Sequence, residues 1–211
     1  ISIDEINGRL YIIGTNGYAI CDLNGNLISK YLGLNVSGRQ IAVDPINSKI
    51  YFTDQGSRLM VANTDTTGRQ VLFSNLATSF GVRVDPAAGL VYFSDNSGVY
   101  SCNLSGANRT TLVPITSGGQ YVAIGIDIRN NKLFWALNGS TSRKIRSSNL
   151  TGTDTTTIAT TGINYAFDIA NTGGSTMQAY NINYTNITSN SVKATWNKGN
   201  AASRAAFMKV D

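Results

Sequence analysis

Apolar and polar residues alternate along this chain in short runs, and the runs come in pairs. Ile41 and Val43 alternate up to Asp44, Pro45 interrupts the pattern, and Ile50, Tyr51 and Phe52 begin a second extended run that stops at Asp54. This stretch predicts two strands joined by a short turn. It returns as VRVDPAAGLVYFSD over 82–95, and more loosely as ISIDEINGRLYII over 1–13 and IGIDIRNNKLFWAL over 124–137. The first strand alone returns once more, as YAFDIAN over 165–171. Amphipathic runs at helical spacing are absent, so no helix is predicted.

The aspartates that end the first strands measure the period. Asp4, Asp44, Asp85, Asp127 and Asp168 stand 40, 41, 42 and 41 residues apart. Turn signals divide each period further. In repeat one, Gly8, the Asn16-Gly17 pair and the Asn24-Gly25 pair separate short apolar segments over 10–13, 18–23 and 27–31. In repeat two the third strand is predicted over 58–63 and the outer strand over 70–73, and in repeat three over 99–104 and 110–113. A period of about 40–45 residues holding about four short strands predicts an all-β fold of β-propeller blades, each a sheet of four antiparallel strands. The third strands align as Cys21-Asp22-Leu23, Ala62-Asn63-Thr64, Cys102-Asn103-Leu104 and Ser148-Asn149-Leu150. A small residue leads each triplet, which marks a position where neighbouring blades pack face to face.

The phrase IAVDPINSKIYFTD, followed by MVANTDTTGRQVLF, resembles the class B repeat of the low-density-lipoprotein receptor, the YWTD repeat. The tetrad stands here as Tyr51-Phe52-Thr53-Asp54 and Tyr92-Phe93-Ser94-Asp95, decays to Phe134-Trp135-Ala136-Leu137, and is faint at Tyr11-Ile12-Ile13-Gly14. The likeness covers residues 1 to about 170. It implies part of a six-bladed ring. On that expectation roughly 80 residues precede this stretch, and the strand over 163–169 closes a blade whose other strands lie among them. The rival is a four-bladed ring closed within the chain. After the propeller segment, 1–170, a linker is expected over 171–175. The segment 176–211 alternates at Val192, Ala194 and Trp196 and resembles the opening strands of a fibronectin type III-like sandwich, a partial β-sandwich at this length.

Charge modifies this picture only at the C-terminal side. The net charge is +5, with eight basic and nine acidic residues over 1–128 against nine and three over 129–211. Arg143, Lys144 and Arg146 cluster near a predicted turn, but no aromatic residues interleave with them to stack bases, so no nucleic-acid partner is expected. No apolar run is long enough to insert in a membrane. Cys21 and Cys102 occupy equivalent places in non-adjacent repeats and are expected to be free, buried thiols.

The chain has no histidine, and Glu5 is its one glutamate. Histidine triads, histidine-ligated metals and most acid–base pairs are thereby excluded, so an enzyme, a cofactor and a metal centre are not expected. Aspartates demanded once per repeat, namely Asp4, Asp44, Asp85, Asp127 and Asp168, are expected to cap turns by accepting backbone N–H bonds. Ser94-Asp95-Asn96-Ser97-Gly98 does not meet the sialidase box, and the calcium-like loop Asn63–Gly68 lacks a closing glutamate. Seven Asn-x-Ser/Thr sequons, at Asn35, Asn103, Asn108, Asn138, Asn149, Asn183 and Asn186, would be acceptors only in a eukaryotic secreted protein.

Binding remains. Second-to-third-strand turns and inter-blade connections gather at one end of a propeller, and there the expected contact residues are Tyr18, Asp54, Arg58, Phe80, Asp95, Asn96, Tyr121, Asn138, Arg143 and Tyr165. The expected role is a non-catalytic extracellular recognition or adhesion module of a larger surface or fibre protein, at a cell or virion surface. Its partner would be a protein, a glycan or neighbouring subunits of the assembly. The alternatives are a structural spacer in a phage tail or surface fibre, and a propeller hydrolase whose catalytic residues lie outside this stretch.

Overall fold

The computed structural model describes residues 1–55, 57–114, 121–138, 143–160, 169, 179–185, 191–198 and 203–209. Every regular element among them is a β-strand. The first sheet runs in order through β1 (Ser2–Asp4), β2 (Arg9–Asp22), β3 (Leu27–Asp44), β4 (Lys49–Asp54), β5 (Arg58–Asn63) and β6 (Gln70–Phe73). The second holds β7 (Val82–Asp85), β8 (Leu90–Asp95), β9 (Gly98–Asn103) and β10 (Thr110–Pro114). The third holds β11 (Tyr121–Asp127), β12 (Lys132–Asn138), β13 (Arg143–Ser148) and β14 (Thr156–Ala159). All neighbours are antiparallel, as short turns between consecutive strands require.

The six-stranded sheet is two blades sharing one strand. Separate strands are expected over 27–31 and 41–43, yet β3 is continuous because no proline interrupts 32–40. Its first part pairs with β2 through Ser37, and from Gly38 onward it pairs with β4. It is therefore the fourth strand of blade one and the first strand of blade two. Likewise β2 is a single extended element where a hairpin is expected at Asn16-Gly17, and Asn16 there carries a φ of 67°.

Turns after the first strands share one construction. Asp4, Asp44, Asp85 and Asp127 are all buried. Each accepts a backbone N–H three residues on, from Asn7, Asn47, Ala88 and Asn130 at 2.9, 3.0, 3.0 and 3.2 Å. The side-chain amides of Asn7, Asn47 and Asn130 donate to the other carboxylate oxygen. Four residues beyond each aspartate the chain enters the left-handed region, at Gly8, Ser48, Gly89 and Asn131. The carboxylate thus satisfies amides that the turn removes from the ladder.

Blades pack in chain order. First strands meet near the axis, β1 on β3, β3 on β7 and β7 on β11. Small residues allow this: a Cβ at Gly81 would stand 2.7 Å from Ile124, and one at Gly125 would stand 2.8 Å from Ile169. Further out, apolar side chains fill the gaps between sheets. Ala62 of β5 packs with Tyr11, Tyr18 and Ile20 of blade one, and Cys102 of β9 packs with Tyr51, Leu59 and Val61 of blade two. The small third-strand positions are therefore interface positions, and both thiols are free and buried. Tyr51 also donates its hydroxyl to the Leu104 carbonyl across that interface at 3.1 Å.

The remaining strands, β15 (Ala179–Thr185), β16 (Ser191–Lys198) and β17 (Ser203–Lys209), form an antiparallel meander in which Trp196 opposes Arg204. The fold is all-β, and the antiparallel sheets from β1 to β14 are fanned in chain order. The expected linker over 171–175 and most of the closing strand over 163–169 lie outside the described residues.

Candidate functional site

Because strands alternate in direction, the second-to-third-strand turns and the inter-blade connectors share one end of the blades. The connector over 74–81 is laced down at that end. Leu76 donates its N–H to Ser57 of blade two, while Asn96 of blade three donates to Ala77. Thr53 donates its hydroxyl to the Phe80 carbonyl, and Ser79 donates to the Asp54 carbonyl at 2.6 Å. The Gly81 amide in turn donates to the Ser94 hydroxyl at 2.9 Å. The hydroxyl residues of the tetrads Tyr51–Asp54 and Tyr92–Asp95 therefore hold backbone, with both Thr53 and Ser94 buried.

The tetrad aspartates are turned inward as well. Asp54 accepts the Arg58 amide at 3.3 Å and its Nε–H at 2.9 Å, and its carboxylate pairs with the terminal guanidinium nitrogen. Asp95 accepts the amides of Ser97 at 2.7 Å, Gly98 at 3.0 Å and Ala77 at 3.1 Å. The Tyr100 phenol is pushed up by burial and then by the charge and hydrogen bonding of Asp95. Arg109 reaches within 4.0 Å of the same carboxylate and lies over the Tyr100 ring.

Several side chains expected to make contact are turned inside. Tyr18, Asp54, Phe80, Asp95 and Asn138 are buried. Tyr18 stacks at a tilt on Tyr31, 5.3 Å between ring centroids. Asn138 ends β12 one residue beyond Leu137, which holds the tetrad position of Asp54 and Asp95, and lies opposite Arg143 in the β12–β13 register. Asn96 and Arg143 are half-buried, and the Arg58 side chain keeps 32% of its surface. Tyr121 opens β11 opposite Leu137. Tyr165 and Asp168 lie outside the described residues.

One residue at this end escapes a reading of the repeat. Arg39 is exposed and sets its guanidinium 4.4 Å from the centroid of the Phe80 ring, a cation on an aromatic face. Neighbouring Gln40 is buried and accepts the Val82 amide at 2.8 Å, tying the first strands of blades two and three together. Neither residue recurs at its repeat position, so periodicity carries no signal for them. With Asp54 and Asp95 folded inward and Arg58 paired to Asp54, Arg39 and Arg143 are basic side chains among the described residues at this end. No cluster of metal-ligating side chains occurs among the described residues.

No family model matches the chain. It is 31% identical over 144 residues to low-density lipoprotein receptor-related protein 5 of Mus musculus, and 30% identical over 144 residues to that of Homo sapiens. Each match takes in 64% of this chain and 9% of the receptor-related protein, so the chain spans about a tenth of their length. Among solved structures, one of a nidogen/laminin complex superposes with a TM-score of 0.69 at 14% identity, over 93% of this chain and 77% of that one. Hydrazine synthase of Kuenenia stuttgartiensis superposes with a TM-score of 0.62 at 11% identity, over 93% and 54%. The chain has the β-propeller fold, and its similarity to the receptor-related proteins supports blades of the YWTD type.

Proposed function

We propose that the chain is a non-catalytic, extracellular protein-binding module of a larger surface protein, and that it engages an acidic segment of its partner through the end carrying Arg39, Arg58 and Arg143. The observation that carries this reading is the inward turn of Asp54 and Asp95. Both carboxylates are spent on amides and on the Arg58 guanidinium, so Arg39 and Arg143 are the basic side chains offered to a ligand. The same geometry supports a binding role over a catalytic one. Asp54 and Asp95 hold amides and a guanidinium of their own blades rather than pointing to an open site. The resemblance to receptor-related proteins supports an extracellular setting for such a module, and an adhesive role in the parent protein is part of the same reading.

Selection of a displayed-peptide library on the immobilised protein tests it. Enriched sequences should be rich in Asp and Glu, and their binding should weaken at least tenfold in Arg39→Ala and with rising salt. A library without enrichment, or peptides that bind Arg39→Ala and Arg143→Ala as well as the parent, would rule the reading out.

A further inference from the structure

The contacts between blades are not equivalent, and the difference opens a cleft at the opposite end from Arg39. In blades two, three and four the fourth strand carries a bulge, which leaves Leu72, Leu112 and Ile158 outside the ladder register. Leu72 packs onto Gly106 and Leu112 onto Gly152, each in the third-to-fourth-strand turn of the following blade. Leu104 and Leu150, in those same turns, pack into the interface cores beside them. Blade one carries its bulge two residues further along, between the pairs Ile20–Ser29 and Cys21–Leu27, and the residue left outside the register, Ile28, is 47% exposed. Ile28 is therefore not packed into the contact with blade two, and the position of Leu104 and Leu150 is taken there by Thr64.

A cleft of about 310 Å³ results, with Arg9, Tyr11, Ser29 and Tyr31 on the blade-one side and Thr64 and Asp65 on the blade-two side. That volume is at the lower end for small-molecule sites. Two phenol rings supply apolar faces, while hydroxyls, a carboxylate and a guanidinium supply donors and acceptors together. Charges of both signs border the cleft, so neither an anion nor a cation is favoured. A second observation marks the same place. The Tyr18 hydroxyl is buried without a hydrogen-bond partner among the described residues, and its electrostatic neighbours Tyr31, Asp65 and Tyr11 all line the cleft. A buried hydroxyl without a partner is costly.

We propose that this cleft is a carbohydrate subsite that takes one neutral pyranose ring, whose C–H face lies on a tyrosine and whose hydroxyls meet Ser29, Thr64 and Asp65. The site is separate from the basic end, so it stands whether or not an acidic segment binds there.

Saturation-transfer NMR with the methyl glycosides of glucose, galactose, mannose and N-acetylglucosamine tests it on the whole chain. At least one glycoside should receive magnetisation, with an affinity measurable by titration. The Ser29→Leu/Thr64→Leu variant, which plugs the cleft as the neighbouring interfaces are plugged, should lose at least tenfold in affinity while its binding of acidic peptides is unchanged. Tyr31→Phe and Asp65→Asn remove only polar character and should each weaken the sugar several-fold without shifting the unfolding midpoint. Absence of transfer to all four glycosides would overturn the proposal. So would undiminished binding by the plugged variant or, should that variant not fold, by both polar variants.

Discussion

The Leu112 carbonyl oxygen lies 2.3 Å from the point that a Cβ at Gly152 would occupy, and Gly152 itself has a φ of +86°. Backbone of blade three and backbone of blade four meet there with no room for a side chain. Two costs therefore combine in Gly152→Ala: about 1–2 kcal/mol for a left-handed non-glycine residue, and the displacement of a neighbouring strand. Gly89, at φ +68° with nothing within 4 Å, separates them. Urea unfolding should show Gly89→Ala losing about 1 kcal/mol and Gly152→Ala losing more than about 3 kcal/mol. Equal losses would mean that the blade contact does not constrain the turn.

Thr53 in the tetrad Tyr51–Asp54 donates to the carbonyl of Phe80 from a fully buried position. Thr53→Val keeps the shape and removes the donor, so the connector loses a bond in a site that water does not reach. The expected loss is about 1–3 kcal/mol by chemical unfolding, and Thr53→Ser should recover most of it. If valine and serine behave alike, the hydroxyl contributes nothing to joining blades two and three.

Asp44 accepts the Ile46 amide, the Asn47 amide and the Asn47 side chain, at 3.0, 3.0 and 2.8 Å. Asp44→Ala strands these donors at a buried turn and should cost about 2–4 kcal/mol. Asp44→Asn retains one acceptor oxygen and should cost roughly half as much. Thermal melts of the two variants beside the parent read this directly. An alanine variant as stable as the parent would remove the turn-capping role from the repeat.

Alkaline stability follows from two buried groups. Burial, followed by the charges of Asp44 and Cys102, pushes the Tyr51 phenol from 10.0 up to about 12. Burial pushes the Cys102 thiol from 9.0 up to about 11, with Arg109 opposing it. Both groups keep their protons longer in the folded chain than in the unfolded one. The unfolded state therefore binds fewer protons above pH 9.0, and stability falls as pH rises. The part of the decline owed to these two groups should start near pH 9.0 with Cys102, deepen from 10.0 with Tyr51 and end near 12. Unfolding midpoints across this range should be flatter below pH 10.0 in Cys102→Ala. The same slope in both proteins would show that the thiol does not contribute.

Local chemistry made much of this architecture readable in advance. The predicted strands over 58–63 and 70–73 coincide with β5 and β6, because polar turns bound them within a few residues. Turn aspartates are legible for the same reason: a carboxylate, its amide partner three residues on and a left-handed residue after that form a unit nearly independent of the rest. The contact surface was less legible. A polar tetrad residue in a turn reads as exposed, yet Asp54 and Asp95 point inward, toward partners that include Ala77 on a connector eighteen residues before Asp95.

The sequence by itself determined the all-β character, the period and the turns, since each depends on residues only a few positions apart. Tertiary structure alone decided which way the tetrad aspartates face, that Arg39 lies on Phe80, and that β3 serves two blades. It also decided that blade one, whose bulge falls at the exposed Ile28 rather than at the place of Leu72 and Leu112, leaves a cleft beside blade two. These outcomes depend on how one sheet lies against the next. Side chains some forty residues apart compete for the same space there, and no local pattern records which of them fills it.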